Sequence, residues 1–299
     1  MVASRVPQVV SIADSDGVLV QPGEHNVSDD VSRLFCFTPV VAFVATGRSI
    51  EWGWDIGVQI QARGVFGENA AAYQMGLSVN GQYRLEDPVC VVDTTEIERL
   101  KKAMRFQSDD HTLSATISLG AEAGRVLVEP GKRVILTLGS RTMHGFQLPD
   151  CRWSAEELKE KVLRLIRAEG LNIEVVGPHP DGNIDLQPIV DGKVVDKSNI
   201  PDILHTLYPS AMIIALVDGI NDKSLARHPL VYPITFANGC KEVKEAVCER
   251  GGLIIPKVGH EGGCLEALYY IRREFLGMTD SSKWNQEQGW VVEEDPKRV

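Results

Sequence analysis

No apolar stretch of this 299-residue chain approaches the ~20 residues needed to cross a bilayer. The longest, AMIIALV at 211–217, has the length of a buried strand, so no membrane span is expected. Cations are also in short supply: 31 Lys and Arg stand against 41 Asp and Glu, a net charge of −10. A nucleic-acid partner needs a broad cationic surface, and this composition argues against one while leaving room for a small anion held by a few local cations. The six cysteines, Cys36, Cys90, Cys151, Cys240, Cys248 and Cys264, include no C-x-x-C pair, and no two histidines stand at a zinc-binding spacing. Nor does the first segment show the charged-then-apolar pattern of a secretory signal. The expectation is a cytoplasmic protein with free thiols.

What is present is a series of short apolar runs without polar alternation, QVVSIA, PVVAFVA and SAMIIALV. Such runs mark strands covered on both faces, as in a parallel sheet between helices. Ser28 is placed to N-cap DDVSRLF, Ser198 to cap NIPDILHTL, and KEVKEAVCER reads as an amphipathic helix stopped by Gly251-Gly252. The middle reads differently. A helix is predicted over Thr94 to about Phe106, then strands TLSATISLG and KRVILTLG around a Gly- and Pro-marked turn. A second helix follows in SAEELKEKVLRLIRAEG, where Ser154 and Glu157 match a capping box and Gly170 supplies the stop. Strands LNIEVVG and NIDLQPIV come next, separated by the turn PHPDG. The expected organisation is an α/β core, a doubly wound parallel sheet of Rossmann-like type over 1–85 and 189–299, with an αββαββ, α+β domain inserted over 86–188.

In an open parallel sheet, function gathers at the carboxyl ends of the strands. There the three apolar runs end in Asp14-Ser15-Asp16-Gly17, Thr46-Gly47-Arg48 and Asp218-Gly219-Ile220-Asn221-Asp222. Residues i and i+2 of extended chain face the same way, so Asp14 and Asp16 are expected to look into one crevice while Gly17 lets the backbone turn away. Asp218 and Asp222, four apart at the start of a helix, are expected to share a face. Clustered carboxylates repel one another unless a divalent cation sits among them, and an all-oxygen ligand set points to Mg²⁺. Carboxylates, a hydroxyl, a lysine and Mg²⁺ are the equipment of phosphoryl transfer. An aspartate nucleophile is already ionised at neutral pH, and a second carboxylate beside it can protonate the departing alcohol and then activate water.

DSDG, TGRS, a lysine opening a helix, and DGIND, in that order, resemble the four motifs of the haloacid dehalogenase (HAD) superfamily. The whole chain is similar to the Cof-type and sucrose-phosphatase-like phosphatases of that family, with FGENAA, ITFANGCKEVKEAV and GHEGGCLEAL extending the likeness over nearly all of the core. The resemblance implies that Asp14 is the nucleophile and a Mg²⁺ ligand. It makes Asp16 the acid/base, offering its main-chain carbonyl to the metal, and it implies that Thr46, with Gly47, and Lys197 hold the phosphoryl oxygens. Asp218 would ligate Mg²⁺ with Asp222 and Asn221 in support; Asn221 and Arg48 are candidate substrate contacts. The inserted unit corresponds to the family's cap, which selects the leaving group. Val217 departs from the glycine usual in the fourth motif, and Val18 from the threonine commonest after Asp-Gly.

The function expected on these grounds is Mg²⁺-dependent hydrolysis of a small phosphorylated metabolite, a sugar phosphate or a related phosphomonoester, through an aspartyl phosphate. A phosphomutase would use the same nucleophile; a phospho-acceptor switch or a binding protein disabled at Val217 are the non-enzymatic alternatives. Around the motifs, Lys193 competes with Lys197 as a surface cation, and Arg48 reads equally as an anion contact or a partner for a neighbouring carboxylate. Trp52 and Trp54 read as core, His260 and Glu261 as a turn and cap, and His179 as an exposed loop residue.

Overall fold

VVSIAD forms β1 (Val9–Asp14), buried along its whole length, as a central strand with apolar layers on both sides must be. The computed structural model describes residues 9–79, 82–92, 95–96, 99–100, 114–119, 122–128, 136–139, 142–143, 146–147, 154–178, 183–278, 283–285 and 289–291. The helix expected over Thr94 to Phe106 and the turn PHPDG lie largely outside these residues, and His179 and Cys151 wholly so.

From β1 the chain runs through α1 (Asp29–Phe37) to β2 (Val41–Ala45), then through α2 (Ile50–Gly57) to β3 (Gly64–Gly67). Ser28 and Ser49 cap the two helices by accepting from the Val31 and Trp52 amides. Three antiparallel strands follow: β4 (Ala72–Val79), β5 (Gln82–Leu85) and β6 (Val89–Cys90). The middle supplies β7 (Ser114–Leu119), β8 (Glu122–Val128), β9 (Leu136–Gly139), β10 (Thr142–Met143) and β11 (Phe146–Gln147). It ends with α3 (Ala155–Glu169), β12 (Ile173–Val176), β13 (Asn183–Val190) and β14 (Lys193–Val194). The return path is α4 (Asn199–Leu207), β15 (Met212–Val217), α5 (Lys223–Arg227), β16 (Val231–Thr235), α6 (Lys241–Glu249), β17 (Leu253–Ile254) and α7 (Gly263–Glu274).

The large sheet has the order β17-β16-β15-β1-β2-β3-β4-β5, with β6 paired to β4. Its members from β17 to β3 are parallel, and β4 to β6 make an antiparallel edge. One face carries residues of α1, α2 and α7 and the other residues of α4, α5 and α6, so the sheet is doubly wound. The chain winds outward from β1 over β2 and β3, then returns on the opposite side of β1 and winds outward over β16. Between β1 and β15 the winding direction therefore reverses, and the loops leaving their carboxyl ends part to leave a crevice.

A second, antiparallel sheet has the order β12-β13-β9-β8-β7, with β14 on β13. Leu158, Val162 and Ile166 of α3 pack on Ile173, Val175, Ile184 and Leu186. This helix has the capping box read from Ser154 and Glu157, and Gly170 ends it at φ 60°. β8 occupies a stretch that reads as a turn, because Glu122 already pairs with Leu119 and only Gly120-Ala121 connect the strands. Ser198 stands at the head of α4 but does not cap it; its Oγ donates to Asp196 Oδ1 at 2.5 Å, an acceptor that also takes the Ser198 amide. Among the described residues no helix is long and apolar enough to cross a membrane, and Cys36, Cys90, Cys240, Cys248 and Cys264 are free thiols.

Phe43 on β2 is fully buried and lies against Phe66 and Tyr208, with ring centroids 5.8 and 6.1 Å away. Phe43→Ala is expected to lower unfolding free energy by about 3–5 kcal/mol, read as a lower urea midpoint with an unchanged slope.

Candidate active site

The crevice at the sheet's reversal point collects the acidic residues. Asp14 ends β1, Asp218 follows β15 directly, and the turn at Ile220–Asp222 brings Asp222 back beneath the same edge. Carboxylate oxygens of Asp14, Asp218 and Asp222 all lie within 4.8 Å of one another. Lys197 reaches them from the segment between β14 and α4, and it is completely buried. Its Nζ donates to Asp14 Oδ1 at 2.8 Å and to Asp222 Oδ1 at 2.5 Å. The other oxygen of Asp222 accepts the amides of Asp218 and Gly219 at 3.2 and 3.1 Å, which fixes the loop. Lys193, by contrast, is exposed on β14.

Burial and mutual repulsion dominate the electrostatics. Burial first, and then the charge of Asp222, push the Asp14 carboxyl up to about 7 against the pull of Lys197. Asp218 is pushed up to about 9 by burial and by the charges of Asp14 and Asp222. Burial alone would depress the Lys197 ammonium, but the two carboxylates outweigh it and hold it above the ordinary lysine value. Three carboxylates so placed fit a divalent cation: a hard, oxygen-seeking ion would offset the repulsion among them.

Asp16 lies close enough for its charge to add to the upward push on both Asp14 and Asp218. Its carboxylate lies in the fork of Arg48, with Nε at 2.8 Å and a terminal nitrogen at 3.2 Å, and also accepts the Gly23 amide at 2.9 Å. Arg48 therefore pairs with a neighbouring carboxylate, and its guanidinium lies 4.1 Å from the centre of the half-buried Trp52 ring. Trp54 is in the core, donating to Gln74 at 2.7 Å. Thr46 is buried, with Ser15 Oγ 2.8 Å and the Arg48 amide 3.1 Å from its hydroxyl. Val217 packs in the core on one face of the sheet.

Residues the motif reading did not single out complete the site. Asn238, beyond β16, donates to Asp218 Oδ2 at 2.8 Å and to the Gly17 carbonyl at 3.0 Å, and accepts the Gly259 amide at 2.9 Å. His260, read from the sequence as part of a turn, stands beside them with Nδ1 3.3 Å from the same Gly17 carbonyl. Gly17 itself has φ 81°, and a Cβ there would stand 2.0 Å from Asp218 Oδ2, so both conformation and space demand glycine. Asn69 is fully buried and accepts from Asn221 at 3.2 Å. Asn69 and Asn238 lie within FGENAA and ITFANGCKEVKEAV, and that placement was the signal available in the sequence.

No protein-family model matches the chain, and no curated protein is similar to it in sequence. Solved structures do match. The HAD subclass IIB sugar phosphatase BT4131 is 17% identical, with a TM-score of 0.57 over 88% of this chain and 98% of that one. TM0651 from Thermotoga maritima is 15% identical at a TM-score of 0.57, covering 90% and 99%. The sucrose-phosphatase from Synechocystis sp. PCC6803, solved with sucrose and phosphate, is 14% identical at 0.52, covering 88% and 97%. Identities this low carry the architecture alone: the chain has the fold of HAD superfamily phosphatases.

The raised Asp218 carboxyl sets a pH dependence. The folded chain keeps a proton there up to about 9, whereas the group's ordinary value is 3.8, so this residue's contribution to stability falls as pH rises between those values and then levels off. Asp218→Asn removes the charge but keeps an acceptor for Asn238. In EDTA the Tm of the variant is expected to exceed that of the wild type by a margin that grows from pH 5 to pH 9; a margin independent of pH would contradict the repulsion described.

Proposed function

We propose that this chain is a Mg²⁺-dependent phosphatase that hydrolyses a small phosphomonoester, a sugar phosphate or related metabolite, through an aspartyl phosphate on Asp14. The observation that carries the reading is the buried Asp14, tied to Lys197 and within 4.8 Å of Asp218 and Asp222 oxygens at the reversal point of the sheet. When ionised, three carboxylates and one ammonium leave two negative charges (−3 + 1), which one Mg²⁺ balances. The names of the fold's relatives, a sugar phosphatase and a sucrose-phosphatase, support the substrate class.

Asp14, Asp218 and Asp222 would hold Mg²⁺, with the Asp16 main-chain carbonyl beside them, and the ion supplies the neutralising charge that lets one anion approach another. Lys197 holds the Asp14 carboxylate in place and offsets its charge, so that its oxygen attacks phosphorus in line with the leaving alcohol. The Thr46 hydroxyl and the Gly47 backbone receive phosphoryl oxygens, and Asn221 borders the substrate. Asp16 protonates the departing oxygen and then takes a proton from water attacking the aspartyl phosphate. Arg48 holds the Asp16 carboxylate through two hydrogen bonds, which fixes its position. The inserted unit, expected over 86–188, forms a cap over the crevice and selects the alcohol; β6 near its start pairs with β4 of the large sheet, and β14 past its end pairs with β13.

The test is phosphate release from a panel of sugar and polyol monophosphates by the purified full chain. Release should require Mg²⁺, stop in EDTA and return when Mg²⁺ is restored, and Asp14→Asn should lower kcat on the order of 10³-fold or more. Release indifferent to both EDTA and the substitution would overturn the reading.

A further inference from the structure

The turn at Glu68–Ala70 is, among the described residues, the only run of successive non-glycine residues in the left-handed region, with φ 54°, 54° and 69°. Each such residue costs roughly 1–2 kcal/mol, and a run of them persists only where the surroundings over-determine it. Here the Glu68 amide donates to the Arg48 carbonyl at 2.7 Å and the Asn69 amide to the Thr46 carbonyl at 3.0 Å. The turn is thus stitched to the Thr46–Arg48 loop, and its geometry carries the Asn69 side chain inward.

The buried amide of Asn69 bonds two separate pieces of chain and leaves little room for a side chain on a third. Its Oδ1 accepts from Asn221 at 3.2 Å, its Nδ2 donates to Asp185 Oδ2 at 3.4 Å, and a Cβ on Gly47 would lie only 3.2 Å from Oδ1. Asp185 is on β13, where side chains alternate: Ile184 and Leu186 pack toward α3, while Asp185 and Gln187 form a buried polar face. We propose that Asn69 is a positioning residue, coupling the second sheet to the loop that receives phosphate. Seating of Asp185 on the amide fixes Asn69, and through it Asn221 and the Thr46–Arg48 loop. The role rests on the phosphatase reading of this site. An amide suits the position because one end must donate to a carboxylate and the other must accept from an amide; a carboxylate there would face a like charge, and an apolar side chain would leave buried polar groups unmatched.

The test exchanges donor and acceptor across the contact. Asp tolerates left-handed backbone as Asn does, so Asn69→Asp changes charge with little change in conformation. Three full-length variants are compared: N69D, D185A and N69D/D185N. The readouts are kcat for Mg²⁺-dependent phosphate release and amide hydrogen exchange across residues 46–48, the latter independent of turnover. N69D is expected to lower kcat about 10- to 100-fold and to speed exchange by a similar factor, and N69D/D185N to recover at least about tenfold in both. D185A, which removes the acceptor without a clash, is expected to lower kcat about 3- to 10-fold with faster exchange at 46–48, and it carries the test should N69D not fold. The proposal is overturned if N69D, or D185A in its place, stays within about twofold of wild type in both readouts, or if the double variant does no better than N69D. A wild-type chain that releases no phosphate would sink the phosphatase reading, and the coupling would then be judged by exchange alone.

Discussion

One buried ammonium organises the crevice. Lys197 Nζ, with no exposure to solvent, stands between carboxylates that arrive on β1 and on the turn after β15. Without it, two carboxylates out of reach of bulk water would face each other unscreened, and breaking a buried pair costs more than the pair gains over an apolar substitute. With it, Asp14 is held by a bond from a segment that is remote in sequence but fixed at the head of α4. The site's geometry thus follows from charge pairing in a dry place, which tolerates few arrangements.

The surrounding loops are shaped to bring negative charge close without letting it collapse on itself. Gly17 lets the first loop pass within contact of Asp218, and Asn238 uses one amide to join that loop, the Asp218 carboxylate and the Gly259 backbone. Asp222 turns one oxygen to Lys197 and the other to two backbone amides. Hydrogen-bond donors on every side hold the carboxylates where repulsion alone would spread them, a form of preorganisation whose energy comes from the fold.

Much of this was legible in the chain itself. Continuous apolar runs gave away β1, β2 and β15, and the residues ending them are the ones that meet in the crevice, because a parallel sheet delivers all its carboxyl ends to one side. The capping box at Ser154 and the glycine at 170 read correctly because they are local. What was hidden depends on partners. The antiparallel edge β4–β5 carries an Asn-Gly at 80–81 between Val79 and Gln82, a hairpin signal in a segment with uneven alternation. β8 looked like a turn because its pairing with β7, not its composition, makes it a strand. The i, i+2 spacing set Asp16 beside Asp14, and its charge acts on Asp14 and Asp218; that Arg48 would grip its carboxylate is a contact between loops that spacing does not name. Asn69 and Asn238 act through side-chain contacts across loops, for which sequence offers no periodicity.

The hydrogen-bonding of β1 to β15 also bears on how the chain is made. β1 leaves the ribosome before both its partners: its neighbour on one side, β2, follows within a few dozen residues, and the neighbour on its other side begins only at Met212. Throughout synthesis of the intervening chain, the strand bearing Asp14 has one edge without its native partner, an invitation to pairing with other nascent chains. Closing that gap joins the two halves of the sheet and brings Asp218 and Asp222 to Asp14 in the same event, so a chain interrupted before β15 has neither a finished core nor the full acidic cluster.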